Sequence, residues 1–173
     1  PLLLAAIALV PAAALPSAAK ESHTLTVHDL VAFDRISDPR VSPDGKRVVF
    51  AVSALDLDAN KRRTDLWIAG TDGGAVRPLT RHEASDSSAR WSPDGKWIYF
   101  LSTRSKSPQV WKIAVDGGEA APVTELPLDV GSFVLSPDGT KLALSLEVFP
   151  GTTVAETKKR LDDELTVEAL SVF

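Results

Sequence analysis

Ser42-Pro43-Asp44-Gly45 recurs as Ser92-Pro93-Asp94-Gly95 and again as Ser136-Pro137-Asp138-Gly139. Proline presets φ at about −65° for the second position of a turn. Aspartate can bond back to its own backbone, and glycine accepts the positive φ that a tight reversal demands. Each copy therefore predicts a hairpin turn joining two strands. Together the three turns mark an internal repeat.

The flanks extend the repeat. A large apolar residue precedes each turn: Val41, Trp91 or Leu135. After each glycine the apolar positions return at period two, as Val48 and Phe50, Ile98 and Phe100, Leu142 and Leu144. That is the spacing at which strand side chains revisit one face. Asp65-Leu66-Trp67-Ile68 aligns with Gln109-Val110-Trp111-Lys112 as a third strand bearing a tryptophan. Asp72-Gly73-Gly74 aligns with Asp116-Gly117-Gly118 as a second reversal, and Arg77-Pro78-Leu79-Thr80 with Ala121-Pro122-Val123-Thr124 as a fourth strand. Gly45 and Gly95 stand 50 residues apart and Gly95 and Gly139 stand 44 apart. The surplus falls at about Asp56 to Arg63, a charged stretch that reads as a surface loop.

Four antiparallel strands in about 44 residues are the signature of a β-propeller blade. The fold expected is all-β: a partial β-propeller of two complete four-stranded blades plus half of a third. A capping-box pattern at Thr26 and Asp29 predicts a short helix near 27–34, ended by Asp38-Pro39 before the first strand. The third repeat breaks down after Leu146. Thr153 with Glu156 then opens a helix over 153–170, with Val154, Leu161, Leu165 and Val172 on one stripe and a solvated charged face opposite. The domains expected are a signal peptide at 1–19, a linker and short helix at 20–38, blades at 39–148 and a helical insertion or truncated end at 149–173. Two and a half blades leave sheet edges open. Either this chain is the front of a longer protein, the reading preferred, or several copies assemble, and in isolation it is expected to be poorly soluble or partly unfolded.

The first 19 residues carry no charge, and the apolar run Leu2 to Leu15 precedes the small residues Ser17, Ala18 and Ala19. This pattern matches the apolar core and cleavage region of a secretory signal peptide, cut after Ala19. The location expected is therefore periplasmic or secreted, with no membrane attachment after cleavage. A net charge of −4 gives no reason to expect a nucleic-acid partner. Cysteine is absent, which removes disulfide staples and thiolate metal sites.

Chemistry-bearing motifs are few. No Gly-x-Ser-x-Gly elbow and no glycine-rich phosphate loop is present. His23, His28 and His82 lack metal-ligand spacing. Asp44, Asp94 and Asp138 suggest an acidic ring, but turn chemistry accounts for them. Trp67 and Trp111 read as core strand residues rather than as a binding platform. The sequence assigns no catalytic, cofactor-binding or metal-binding residue and implies no cofactor.

The segment Ile36-Ser37-Asp38-Pro39-Arg40-Val41-Ser42-Pro43-Asp44-Gly45-Lys46 resembles the opening of the propeller in bacterial prolyl oligopeptidase family serine peptidases, in the exported acylaminoacyl-peptidase or dipeptidyl-peptidase-like branch. Trp91 to Lys96 and the run Thr157-Lys158-Lys159-Arg160-Leu161-Asp162-Asp163-Glu164 fit as well, so the resemblance covers roughly residues 24–164. It implies a propeller that caps a C-terminal α/β-hydrolase domain and restricts access to peptide substrates, with a Ser–Asp–His triad in that other domain. Ser-Pro-Asp-Gly blades are also similar to those of TolB-like periplasmic propellers, which implies the alternative of a non-catalytic interaction module.

Overall fold

The computed structural model describes residues 24–57, 59–105 and 107–170, with side chains as far as Asp163. The expected signal peptide at 1–19 and the end of the chain beyond Leu170 lie outside the described residues. Three antiparallel sheets carry the repeat. The first contains β1 (Arg35–Val41), β2 (Arg47–Asp56), β3 (Lys61–Gly70) and β4 (Arg77–Pro78), paired in that order. The second contains β5 (Asp86–Trp91), β6 (Trp97–Ser102), β7 (Gln109–Ala114) and β8 (Ala121–Pro122), again in order. The third pairs β9 (Val130–Leu135) with β10 (Leu142–Leu146). This is the all-β partial propeller that the repeats predict. Two helices flank it: α1 (Val27–Ala32), opened by the Thr26–Asp29 capping box, and α2 (Val154–Leu170).

All three Ser-Pro-Asp-Gly segments close the same turn. The glycine N–H donates to the serine carbonyl at 2.9 Å each time, with glycine φ of +72°, +67° and +71°. Serine, to which the sequence reading gave no role, completes the turn. Its Oγ accepts the N–H of Arg47, Trp97 or Lys141 at 2.9 Å and donates to the aspartate Oδ1 at 2.5–2.6 Å. The aspartate also accepts the N–H two residues on, at 3.1 Å. Neighbouring turns stack as well. A Cβ built on Gly95 would lie 3.7 Å from Cδ of Pro43, and one on Gly139 only 3.0 Å from Cδ of Pro93.

The core lies between sheets. Val49, Ala51, Leu66 and Ile68 of the first meet Ile98, Phe100, Ile113 and Val115 of the second. The other face of the second sheet, with Leu101 and Val110, packs on Val130 and Phe133 of the third. Alternation along each strand supplies both faces, and each fully buried side chain of this size contributes about 1.5–3 kcal/mol. The short outer strands repeat one further device. Leu66 N–H donates to Thr80 Oγ1 at 3.0 Å and Val110 N–H to Thr124 Oγ1 at 2.9 Å, so in each blade a threonine hydroxyl accepts a strand N–H just beyond the two-residue outer strand.

Three expectations need correction. The charged insert is no loose loop: β2 and β3 stay paired out to Asp56 opposite Lys61, which leaves a short turn. Ser53 opposite Thr64, Ala54 opposite Arg63 and Leu55 opposite Arg62 continue the ladder, so the hairpin simply lengthens. The first strand begins at Arg35, not after Asp38-Pro39, because the ladder absorbs that dipeptide as an irregularity with Asp38 at φ +48°. The tryptophans are half-buried rather than core. Trp67 pairs with Phe50 and Trp111 with Phe100. Both pairs occupy the same face of their blades, and among the described residues only the second blade has a neighbour there. Trp111 accordingly packs against the core cluster.

Candidate functional site

A cavity of about 770 Å³ opens where the second and third sheets approach α2. It lies at the end of the strands opposite the Ser-Pro-Asp-Gly turns, since β5 contributes its first residues and β6 its last. Buried Leu101, Leu128 and Val130 form the floor. Ser85, Ser87 and Ser145 provide hydroxyls on the walls, and Asp129, Glu147, Lys158 and Asp162 stand at the mouth. Three acids against one lysine make the mouth negative, and Lys158 is itself paired with Asp162.

Gln109 positions one wall. Its side chain is buried at the start of β7, where Nε2 donates to the carbonyls of Leu126 and Leu128 at 3.2 and 3.0 Å. Its Oε1 accepts from Leu126 N–H at 3.0 Å and from Thr124 Oγ1 at 2.9 Å. A single amide thus fixes the segment leading to Asp129. The backbone of β9 follows, with Val130 N–H donating to Pro108 carbonyl at 2.9 Å.

An ion pair holds the opposite wall. Asp86, wholly buried between Ser85 and Ser87, accepts from Arg104 Nη2 at 2.6 Å. The Arg104 guanidinium lies 5.5 Å from the ring centres of both Phe100 and Trp111, a placement that favours cation–π attraction. Asp65 of β3 stands nearby, paired with Arg63 at 3.0 Å. Burial raises the Asp65 carboxyl above its ordinary range, and the Asp86 charge adds to the rise, against the opposing pull of Arg63 and Arg104. Arg104 belongs to the same loop as Thr103 and Pro108, which also line the cavity. Breaking this pair would therefore loosen the wall as well as strand a buried charge.

Toward the turn end of the strands the seam between the first two blades is stapled by polar groups. Asp38 binds Arg40 at 2.6 Å and Arg90 at 2.9 Å, and Trp91 Nε1 donates to Arg40 carbonyl at 2.8 Å. Burial alone would raise the Asp38 carboxyl, but bonds and charges from Arg90 and Arg40 outweigh it and hold the carboxyl below its ordinary value. Ser88 repeats the left-handed conformation of Asp38, with φ +56°, at the matching irregularity of β5.

The aspartates and histidines weighed in the sequence as chemistry-bearing take no described part in the cavity. Asp44, Asp94 and Asp138 belong to the turns, where bonds from Ser42, Ser92 and Ser136 lower their carboxyls, Asp138 to about 2. His28 sits on α1, and His82 accepts Ala84 N–H at 3.0 Å in the link between blades. His23 lies outside the described residues. Among the described residues no group of three or more acidic or histidine side chains is arranged to hold a metal ion. Sequence reasoning missed the cavity residues because Ser85, Asp129 and Glu147 come from separate connections and Lys158 from α2, with no shared spacing.

Residues 23–165 match the family described as the TolB beta propeller domain. Dipeptidyl-peptidase 5 of Porphyromonas gingivalis is 37% identical over 70 residues, which is 40% of this chain and 10% of that protein. The acylaminoacyl peptidase of Pyrococcus horikoshii shares 25% identity at a TM-score of 0.55, over 66% of this chain and 17% of that one. The β-propeller domain of the trilobed protease from Pyrococcus furiosus shares 25% identity at a TM-score of 0.51, over 65% and 33% respectively. The chain spans about a tenth of the length of the curated relatives it matches. Among the described residues no helix is long and apolar enough to cross a membrane.

Proposed function

Because the chain belongs to the TolB beta propeller domain family, we propose that it is the N-terminal propeller portion of an exported serine peptidase of the prolyl oligopeptidase family. The observation that carries this reading is its likeness, at 25% identity or above, to a dipeptidyl-peptidase, an acylaminoacyl peptidase and the β-propeller domain of a protease. In this reading the blades restrict access to a C-terminal α/β-hydrolase domain of the full-length protein. A Ser–Asp–His triad in that domain performs the cleavage, with histidine taking the serine proton and backbone N–H groups stabilising the oxyanion. No triad residue is assigned to this chain.

The cavity supports the access role. Its volume lies within the range of about 300–1,000 Å³ usual for ligand sites. Serine hydroxyls on the walls suit the amide groups of a peptide, and the negative mouth favours a cationic one. The test is hydrolysis of a peptide length series by the full-length protein, with a fluorophosphonate probe for an activated serine. Cleavage of short peptides, sparing of folded proteins and labelling of one serine are expected. A full-length protein that neither labels nor cleaves would overturn the reading. The family's TolB description favours a second reading, a periplasmic interaction module without catalysis, which that same result would support. Export is tested by sequencing the mature N-terminus, expected at Lys20.

A further inference from the structure

α2 rests on the blades with little of its described surface buried. Of its described side chains, Val154 to Asp163, only Thr157 is buried, and Leu161 remains 38% exposed although it faces the cavity. A helix normally owes its place to an apolar stripe packed on the core. Among the described side chains, the hydrogen bonds of Thr157 are polar and local. Thr157 Oγ1 lies 2.6 Å from Thr152 Oγ1 and accepts Phe149 N–H at 3.3 Å, while Thr152 Oγ1 donates to Phe149 carbonyl at 2.8 Å. Arg160 places its guanidinium 4.0 Å over the Phe149 ring.

Those contacts join the helix to the segment just before it, across Pro150 and Gly151. Gly151 has φ +75°, and a Cβ built there would meet no atom within 4 Å. The backbone here stands in open space and has the conformational freedom of glycine, as a pivot requires. Lys158, Leu161 and Asp162 line the cavity from the helix, and the Lys158–Asp162 pair is internal to α2, so these groups travel together.

We propose that α2 is a hinged lid over the cavity, pivoting at Gly151 and latched by Thr152, Thr157 and the Arg160–Phe149 stack. Elements that open locally are those with few buried contacts, and lids of this kind control access on the microsecond to millisecond scale. The inference rests on the peptidase reading only for what passes the lid, not for the motion. The test is hydrogen exchange in the full-length protein, with and without Thr157→Val. Amides of 154–163 are expected to exchange at least about 100-fold faster than those of β6 and β7, and the variant to speed them about tenfold further. A cysteine placed by Ser87→Cys on the cavity wall should react with a maleimide several-fold faster when Thr157→Val is added. If Thr157→Val fails to fold, Arg160→Ala, on an exposed residue, probes the same latch. Helix amides as slow as those of β6 and β7, or rates unmoved by the latch variants, would overturn the lid. Both rates are read without peptide, so that failure leaves the peptidase reading to its own assay.

Discussion

Alanine at Gly139 should destabilise the protein more than alanine at Gly45, although the two glycines have nearly the same backbone, with φ of +71° and +72°. A left-handed conformation costs a non-glycine residue about 1–2 kcal/mol, and both variants bear that term. The reduced freedom of the unfolded chain, which works the other way, is also common to both. What differs is the neighbour. A Cβ at Gly139 would stand 3.0 Å from Cδ and 3.3 Å from Cγ of Pro93, whereas one at Gly45 meets nothing within 4 Å. Pro93 is a rigid ring inside a hydrogen-bonded turn and cannot rotate away. Overpacking of this kind costs typically about 1–3 kcal/mol. Gly139→Ala should therefore fall about 1–3 kcal/mol below Gly45→Ala in urea unfolding followed by tryptophan fluorescence. Gly95→Ala, at an ordinary 3.7 Å from Pro43, should resemble Gly45→Ala. Equal stabilities for all three variants would show that the turns do not bear on one another.

Ser92→Ala removes, at a buried serine, the acceptor of Trp97 N–H and should cost about 1–3 kcal/mol by the same unfolding assay. Ser136→Ala, on a more open turn, should cost less. Arg104→Met strands the buried Asp86 carboxylate and should cost about 3–5 kcal/mol, much of it regained in Arg104→Met with Asp86→Leu; a double variant no better than the single would refute the pairing. In acid, Asp138 has a folded pKa of about 2, below the ordinary 3.8. Its contribution is present above about pH 4 and is lost as pH falls through 2, so Asp138→Asn should flatten that limb of a melting-temperature profile. Asp65 has the opposite sign: its raised carboxyl favours the fold at low pH and loses that advantage as pH rises through its folded pKa.

The blades were legible because their signals are local and repeated. Turn residues, period-two strands and capping boxes each act within a few residues, and three copies remove ambiguity. The irregularities at Asp38 and Ser88 were not legible, since neither residue is the glycine that usually announces positive φ. The half-burial of Trp67 depends on which blade stands beside it, and the strand composition alone cannot state that. The cavity was hidden for a related reason. Gln109 at the start of β7, Asp86 at the start of β5 and Arg104 in the loop after β6 brace its walls from behind, and each looks like an ordinary polar residue in its own segment. Thr157 shows the limit most plainly: a threonine amid lysines reads as solvated surface, yet among the described side chains of α2 it is the buried one.

The contact of Pro43 with Gly95, and of Pro93 with Gly139, bears on how such a molecule could arise. Each Ser-Pro-Asp-Gly segment offers its proline to the following copy and its glycine to the preceding one. A blade-sized stretch of coding sequence therefore carries both halves of its junction. Duplicated in tandem, it would create a complete contact at the new boundary without any compensating substitution. The tetrapeptide is then held constant by two demands at once, the turn it makes and the copy beside it. A mutation in one blade would be judged by the stability of the next.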